Sequence, residues 1–239
     1  MADKTIGILG GMGPEATLEL FGKIIAATPA ARDQEHLRVV IDSNPKVPDR
    51  TAAILAGGAS PVPAMTAGIR ALQAAGADFV VIPCVSAHAF IDELRAAGMP
   101  IVSMFEATVT YIREHHPAIR TVGLLATTGT LRAGRFAAEL GAADIRVLEP
   151  EARDQERIMA AIYAIKGSIR PREEIAADVR AVAERLIAQG AEGIITGCTE
   201  LPLVLRPGDL ASPVFDTLSI LARSTVAHAG VTPREAASV

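Results

Sequence analysis

The sequence predicts an α/β protein of two duplicated, pseudo-symmetric domains, each a parallel sheet flanked by helices, with an active site in the cleft between them. Three observations predict it. The chain repeats itself: Thr5-Ile-Gly-Ile-Leu-Gly-Gly-Met-Gly13 returns as Thr121-Val-Gly-Leu-Leu-Ala-Thr-Thr-Gly129, 116 residues on, and Ala75-Gly-Ala-Asp-Phe-Val-Val-Ile-Pro-Cys84 returns as Gln189-Gly-Ala-Glu-Gly-Ile-Ile-Thr-Gly-Cys198, 114 residues on. Pro100-Ile-Val resembles Pro213-Val-Phe at an offset of 113. Three matches in one order at nearly one spacing, with a period too long for a solenoid, indicate two duplicated units. Within each unit, short apolar runs alternate with helix-length stretches, the pattern of a parallel sheet. Both cysteines then follow a predicted strand, at the carboxyl edge where open α/β sheets bind ligands.

Each element has its own justification. The apolar run Thr5 to Leu9 ends in the turn Gly10-Gly11-Met12-Gly13, and a helix follows over Glu15 to Ala27. Pro14 suits its first turn, where a missing N–H costs nothing. In the second unit Thr121 to Leu125 ends in Ala126-Thr127-Thr128-Gly129-Thr130, and a helix is predicted over Leu131 to Leu140. Leu37 to Ile41 reads as a further strand, ending at Asp42. Helices predicted over Pro63 to Ala75 and Glu173 to Gln189 each stop at a glycine, Gly76 and Gly190.

Composition excludes several function classes. Half of the 239 residues are hydrophobic, 21% are charged and Trp is absent, so the core is aliphatic in an ordinary globular chain. The net charge is −4, with no basic stripe for nucleic acid. Apolar runs such as Val80 to Pro83 and Gly193 to Ile195 are too short to cross a bilayer. The N-terminus lacks the basic and long apolar regions of a signal peptide, which places the protein in the cytoplasm. A reducing cytoplasm disfavours a disulfide between the two cysteines. The five histidines have no zinc-site spacing, and no metal is expected.

Two thiols at matched positions suit one kind of chemistry. Inverting a carbon next to a carboxylate needs a base on one face, an acid on the other, and charge stabilisation for a weakly acidic proton. A thiolate/thiol pair, Cys84 and Cys198, exchanges those roles with the direction of reaction. An isolated free cysteine is more often a small buried hydrophobe; the matched placement favours function. His88 and Glu200, in Pro83-Cys84-Val85-Ser86-Ala87-His88 and Gly197-Cys198-Thr199-Glu200, are placed to tune the thiols or touch substrate, with a partly buried helix residue and a surface charge as the plain alternatives. If a helix starts after either cysteine, its free N–H groups favour thiolate. The turn that includes Met12 and the turn of Thr127, Thr128 and Thr130 offer hydroxyls and N–H groups to an anion. Arg50 and Lys166, also 116 residues apart, are the candidate cations for a second carboxylate. No lysine has an evident pyridoxal-phosphate setting, so no cofactor is expected.

One motif competes. Gly11-Met-Gly13-Pro-Glu-Ala16 after a strand matches the dinucleotide fingerprint, and Asp42 stands where a ribose-binding acid is expected. A dehydrogenase using NAD would leave both cysteines and the duplication unexplained. A non-catalytic amino-acid-binding protein is the other rival.

The residues also carry a resemblance. Gly7-Ile-Leu-Gly-Gly-Met-Gly-Pro-Glu-Ala-Thr17, Arg32-Asp-Gln-Glu-His36, Asn44-Pro45, Pro48-Asp-Arg-Thr51, Pro83-Cys84, Ala87-His-Ala-Phe90, Leu124-Leu-Ala-Thr-Thr-Gly-Thr130 and Gly197-Cys-Thr-Glu200 resemble the aspartate/glutamate racemase family over nearly the whole chain, and most closely its cofactor-independent aspartate racemases. The resemblance implies a first domain of 1–103 plus 212–239, with a second, 104–211, inserted into it. It implies Cys84 and Cys198 as the acid/base pair. Arg50 and Lys166 look like side-chain carboxylate contacts, and Thr127, Ser86 and Thr199 like contacts to the α-carboxylate or amine. It further implies an amino-acid substrate, no cofactor and a homodimer. One departure matters: the family pattern has Cys-Asn-Thr where this chain has Cys84-Val85-Ser86, and Ser86 keeps the hydroxyl. Val85 cannot replace that amide's hydrogen bonds, a loss of roughly 1–3 kcal/mol, and this leaves open a racemase or isomerase of a different carbon acid.

Overall fold

The first apolar run forms β1 (Ile6–Gly10), buried at every residue. Pro14 opens α1 (Pro14–Ala27) at the first helical position. There follow β2 (Val39–Ser43), α2 (Arg50–Ala56), α3 (Val62–Ala74), β3 (Phe79–Val81), a 3-10 helix at Ser86–Phe90, α4 (Ile91–Arg95), β4 (Ile101–Val102) and α5 (Met104–His115). The second half holds β5 (Thr121–Ala126), α6 (Thr128–Ala133), α7 (Arg135–Ala142), β6 (Arg146–Leu148), α8 (Ala152–Gly167), α9 (Arg172–Ala188), β7 (Gly193–Gly197), a 3-10 helix at Leu201–Leu203, β8 (Val214–Asp216) and α10 (Thr217–His228). This is a computed structural model that describes residues 3–234. The described residues divide into two units, 3–107 with 218–234, and Thr108–Thr217. Residues 1–2 and 235–239 of the expected first domain lie outside the described residues.

Each unit contains one four-stranded parallel sheet, ordered β2-β1-β3-β4 in the first and β6-β5-β7-β8 in the second. The two orders are the same order. The registers agree as well: Ile6 lies beside Phe79 and Val122 beside Gly193, while Val80 lies beside Ile101 and Ile194 beside Val214. These pairs are related by the same offsets that the sequence repeats carry, so the duplication extends to the hydrogen-bond ladder. In the second unit β5 and β7 pair as far as Ala126 and Gly197. In the first unit the ladder between β1 and β3 stops at Ile8 and Val81. Pro83 occupies the position of Gly197 there and has no N–H to donate.

Helix packing repeats too. A Cβ on Gly7 would touch Leu72 of α3, and one on Gly123 would crowd Leu186 of α9. Glycine at both matched strand positions lets the covering helix sit close. The cores are aliphatic, as expected: Leu9, Met65, Ile69, Leu72 and Val80 in the first unit, Ile158, Ile162, Val179, Leu186 and Ile194 in the second. Burying each such side chain contributes about 1.5–3 kcal/mol.

The helix predicted over Leu131 to Leu140 is instead two, α6 and α7. Gly134 breaks it by adopting a left-handed conformation (φ 66°), giving its N–H to Leu131 and its carbonyl to Ala138. Among the described residues no helix is long and apolar enough to cross a membrane.

Candidate active site

Cys84 and Cys198 each follow the strand beside the central one, β3 and β7, at the carboxyl edge of its own sheet. Both are buried and packed among the aliphatic side chains of their units. Neither is followed by an α-helix. The chain turns into short 3-10 segments instead, at Ser86–Phe90 and Leu201–Leu203. The condition for a regular helix N-terminus to favour thiolate is therefore absent at both cysteines.

In the first unit the Cys84 thiol lies 3.5 Å from the Ser86 hydroxyl. His88 is fully buried. Its Nε2 accepts from the Met104 backbone N–H at 3.1 Å, so the ring proton sits on Nδ1, 2.9 Å from the Cys84 carbonyl, and is donated there. His88 thus ties the cysteine loop to the start of α5 and sets the backbone of Cys84. Val85 is buried as well. Arg50 begins α2, whose N-cap Asp49 accepts from the Ala52 N–H at 2.7 Å. The guanidinium is 8% exposed and donates only to carbonyls: Val47 and Pro48 from Nη1, Met12 from Nη2. Its Nε is buried with no partner, and among the described residues no carboxylate pairs with it. Met12 contributes its carbonyl here; its side chain belongs to the core.

The glycines of the first turn have a packing explanation. A Cβ on Gly10 would overlap Thr17, and one on Gly11 would overlap the backbone of Asn44. The Gly11 N–H is committed to Thr17 Oγ1 at 2.9 Å. Asp42 lies against α3, where a Cβ on Gly68 would overlap its carboxylate. Gly10 and Gly11 are thus accounted for by close contacts within the unit.

In the second unit the polar groups converge. The Cys198 thiol donates to Glu200 Oε2 at 3.0 Å, Thr199 Oγ1 donates to the same oxygen at 3.4 Å, and Lys166 Nζ lies 3.6 Å from Oε1. Glu200 is 3% exposed, so it is not a surface charge. Burial pushes the Cys198 thiol well above the ordinary range. The Glu200 carboxylate adds to that, and the Lys166 ammonium opposes it. Cys198 therefore rests as a thiol. Lys166 comes from the last turn of α8, and Arg50 from the first turn of α2; each of these is the first helix after its edge strand, β6 or β2. Thr127 caps α6, accepting from the Thr130 N–H at 3.2 Å, and its hydroxyl lies 3.0 Å from that of Thr130. The Thr128 N–H points at the sulfur of Met159.

Sequence reasoning missed Gln155. Its Nε2 donates to the Ala126 carbonyl at 3.0 Å and to Thr128 Oγ1 at 3.1 Å, across the end of β5. The one available signal was helical spacing: Gln155 precedes Lys166 by about three turns, on one side of α8. Among the described residues no group of three or more His, Cys, Asp or Glu is placed to hold a metal ion.

Residues 9–225 match the family model described as Asp/Glu/Hydantoin racemase. The chain belongs to that family. This racemase is an isomerase of the amino-acid racemase kind. It is 29% identical to the broad-specificity amino-acid racemase RacX of Bacillus subtilis (strain 168), covering 92% of this chain and 96% of that one. Among solved structures it is similar to the aspartate racemase of Picrophilus torridus, with a TM-score of 0.87 and 28% identity over 97% of this chain and 96% of that one. It is also similar to an aspartate racemase homologue from Pyrococcus horikoshii OT3, with a TM-score of 0.75 and 27% identity over 95% and 99% of the two chains.

Proposed function

We propose that this racemase interconverts L- and D-aspartate, or a close acidic amino acid, without a cofactor, using Cys84 and Cys198 as acid and base on opposite faces of one α-carbon. The observation that carries the reading is the matched placement of the two thiols on sheets of the same order and register. The unlike surroundings of the sulfurs support one distribution of roles. Cys198, buried against a carboxylate, is held as a thiol, which suits the acid. Cys84 then takes the part of the base. As a thiolate it takes the α-proton; the electron pair left on carbon delocalises into the substrate carboxylate; the Cys198 S–H bond breaks as the new C–H bond forms on the other face. In the opposite direction Cys198 carries the negative charge beside Glu200, and the Lys166 ammonium offsets it. Arg50, a buried cation surrounded by carbonyls, suits a substrate carboxylate, whose charge it would neutralise.

A second reading has its own support. The likeness to a broad-specificity amino-acid racemase covers nearly all of both chains, and Val85 presents a buried apolar side chain next to Cys84. That favours a wider range of side chains.

Proton NMR in D₂O decides between them. Purified protein without added cofactor is incubated with each enantiomer of aspartate, glutamate and a set of neutral amino acids. Loss of the α-proton signal with formation of the opposite enantiomer for the acidic pairs alone supports the narrow reading. Comparable rates for neutral pairs support the broad one. No exchange with any pair overturns both.

A pH profile tests this distribution of roles. The free enzyme needs one thiol and one thiolate, so kcat/KM is expected to be bell-shaped, with an alkaline limb set by loss of the last thiol proton. The Glu200 carboxylate raises the Cys198 thiol. Glu200→Gln removes that charge, so Cys198 ionises at lower pH and the alkaline limb moves down. A limb that stays in place would show that Glu200 does not govern this thiol.

A further inference from the structure

Gln155 is a residue of the second unit that the mechanism above leaves unused, and its Oε1 is buried without a hydrogen bond. Its amide nitrogen is spent on two acceptors, the Ala126 carbonyl and Thr128 Oγ1. Flipping the amide would set its oxygen against the Ala126 carbonyl oxygen, so the orientation is determined by the network. Its Oε1 is then an acceptor, buried and without a partner. Buried acceptors in native proteins are otherwise paired. The atom stands at a defined place. Ala126, which holds the amide, lies beside Gly197 in the β5–β7 register, and Cys198 is the next residue. Lys166 lies further along the same helix and reaches Glu200, the partner of that cysteine.

We propose that Gln155 Oε1 accepts the α-ammonium group of the substrate and so selects α-amino acids over carboxylic acids that lack the amine. The inference rests on the amino-acid racemase reading above. An acidic amino acid offers carboxylates, which only accept, and one ammonium group, which only donates. Of these, only the ammonium matches an acceptor. Beside it, Thr128 Oγ1 accepts from the amide, and its own O–H remains a donor for a carboxylate. A donor and an acceptor side by side match the two groups on an α-carbon.

The experiment compares ligands that differ only in the amine. KM for aspartate, and for glutamate, is measured by exchange in D₂O; Ki is measured for succinate and glutarate, which lack the ammonium. In Gln155→Met, aspartate is expected to weaken by about 10–100-fold, as for a lost bond to a charged group, while succinate changes by less than about twofold. Gln155→Asn keeps an amide donor and acceptor one methylene shorter: aspartate recovers part of the affinity lost in Gln155→Met, and succinate stays unchanged. Thermal midpoints confirm that each variant is folded, and Gln155→Asn keeps the test alive if the Met variant is not. Parallel weakening of aspartate and succinate in Gln155→Met would mean a structural role only and overturn the inference, as would no change in either ligand. The wild-type column tests the parent reading separately: no exchange and no binding there overturns both, whereas normal wild-type exchange with unaltered variants overturns this inference alone.

Discussion

Cys84→Ser and Cys198→Ser are each expected to lower racemisation by at least ~10³-fold, since a positioned acid or base typically contributes 10²–10⁴ and serine ionises far too weakly to replace a thiolate. The substitution keeps the size of the side chain, so stability changes little and the loss is chemical. The two variants also differ in a way that a purely structural role would not produce. With Cys84 left in place, Cys198→Ser retains a base on one face only. It exchanges the α-proton of one enantiomer with solvent, slowly and with retention. Cys84→Ser does the same for the other enantiomer. Proton NMR of each enantiomer in D₂O, with chiral analysis of the product, reads both effects. Full racemisation by either variant would remove the two-thiol mechanism. Exchange of the same enantiomer by both would show that the sulfurs do not face opposite sides of the carbon.

Gly11→Ala is expected to cost about 3 kcal/mol or more, the sum of a left-handed backbone and an overpacked contact. Gly11 has φ 88°, and a methyl group there overlaps the backbone of Asn44 at the end of β2. Neither side can yield cheaply. The Asn44 N–H is bonded to the Gly10 carbonyl, and the Gly11 N–H to Thr17 Oγ1. The turn also supplies the Met12 carbonyl that Arg50 donates to. Urea unfolding therefore shifts to a lower midpoint, and KM for an acidic substrate rises with it. An unchanged midpoint would mean that the turn relaxes around a side chain, and that its glycines serve something other than close packing.

The helix starts and stops were legible because their causes are local. Pro14 opens α1, and α3 and α9 end just before Gly76 and Gly190. The break at Gly134 was equally local, and it was overlooked because Leu131 to Leu140 keeps a helical pattern across it. The roles of the polar side chains were much less legible. His88 stands in the sequence as a group to tune the thiol, to touch substrate or to be a partly buried helix residue, and only the fold shows its ring binding the Cys84 carbonyl and a backbone N–H sixteen residues away. Glu200 and Lys166 stand apart in the sequence, and only the packing of α8 against α9 and β5 makes them a pair. Gln155 carried no motif at all.

By itself, then, the sequence determined that the chain is a duplicated α/β protein with two thiols at equivalent strand ends. Periodicity, turn residues and the repeat are properties of neighbouring residues, and they survive in one dimension. Only the tertiary structure decided that the two thiols are unlike. Cys198 is held as a thiol by burial and by the Glu200 carboxylate, with Lys166 opposing, whereas the Cys84 sulfur lies beside a hydroxyl. Desolvation and Coulomb interactions depend on which groups come within a few ångströms: Glu200 is two residues from Cys198, but burial of the pair and the approach of Lys166, from α8 more than thirty residues away, are set only by the fold.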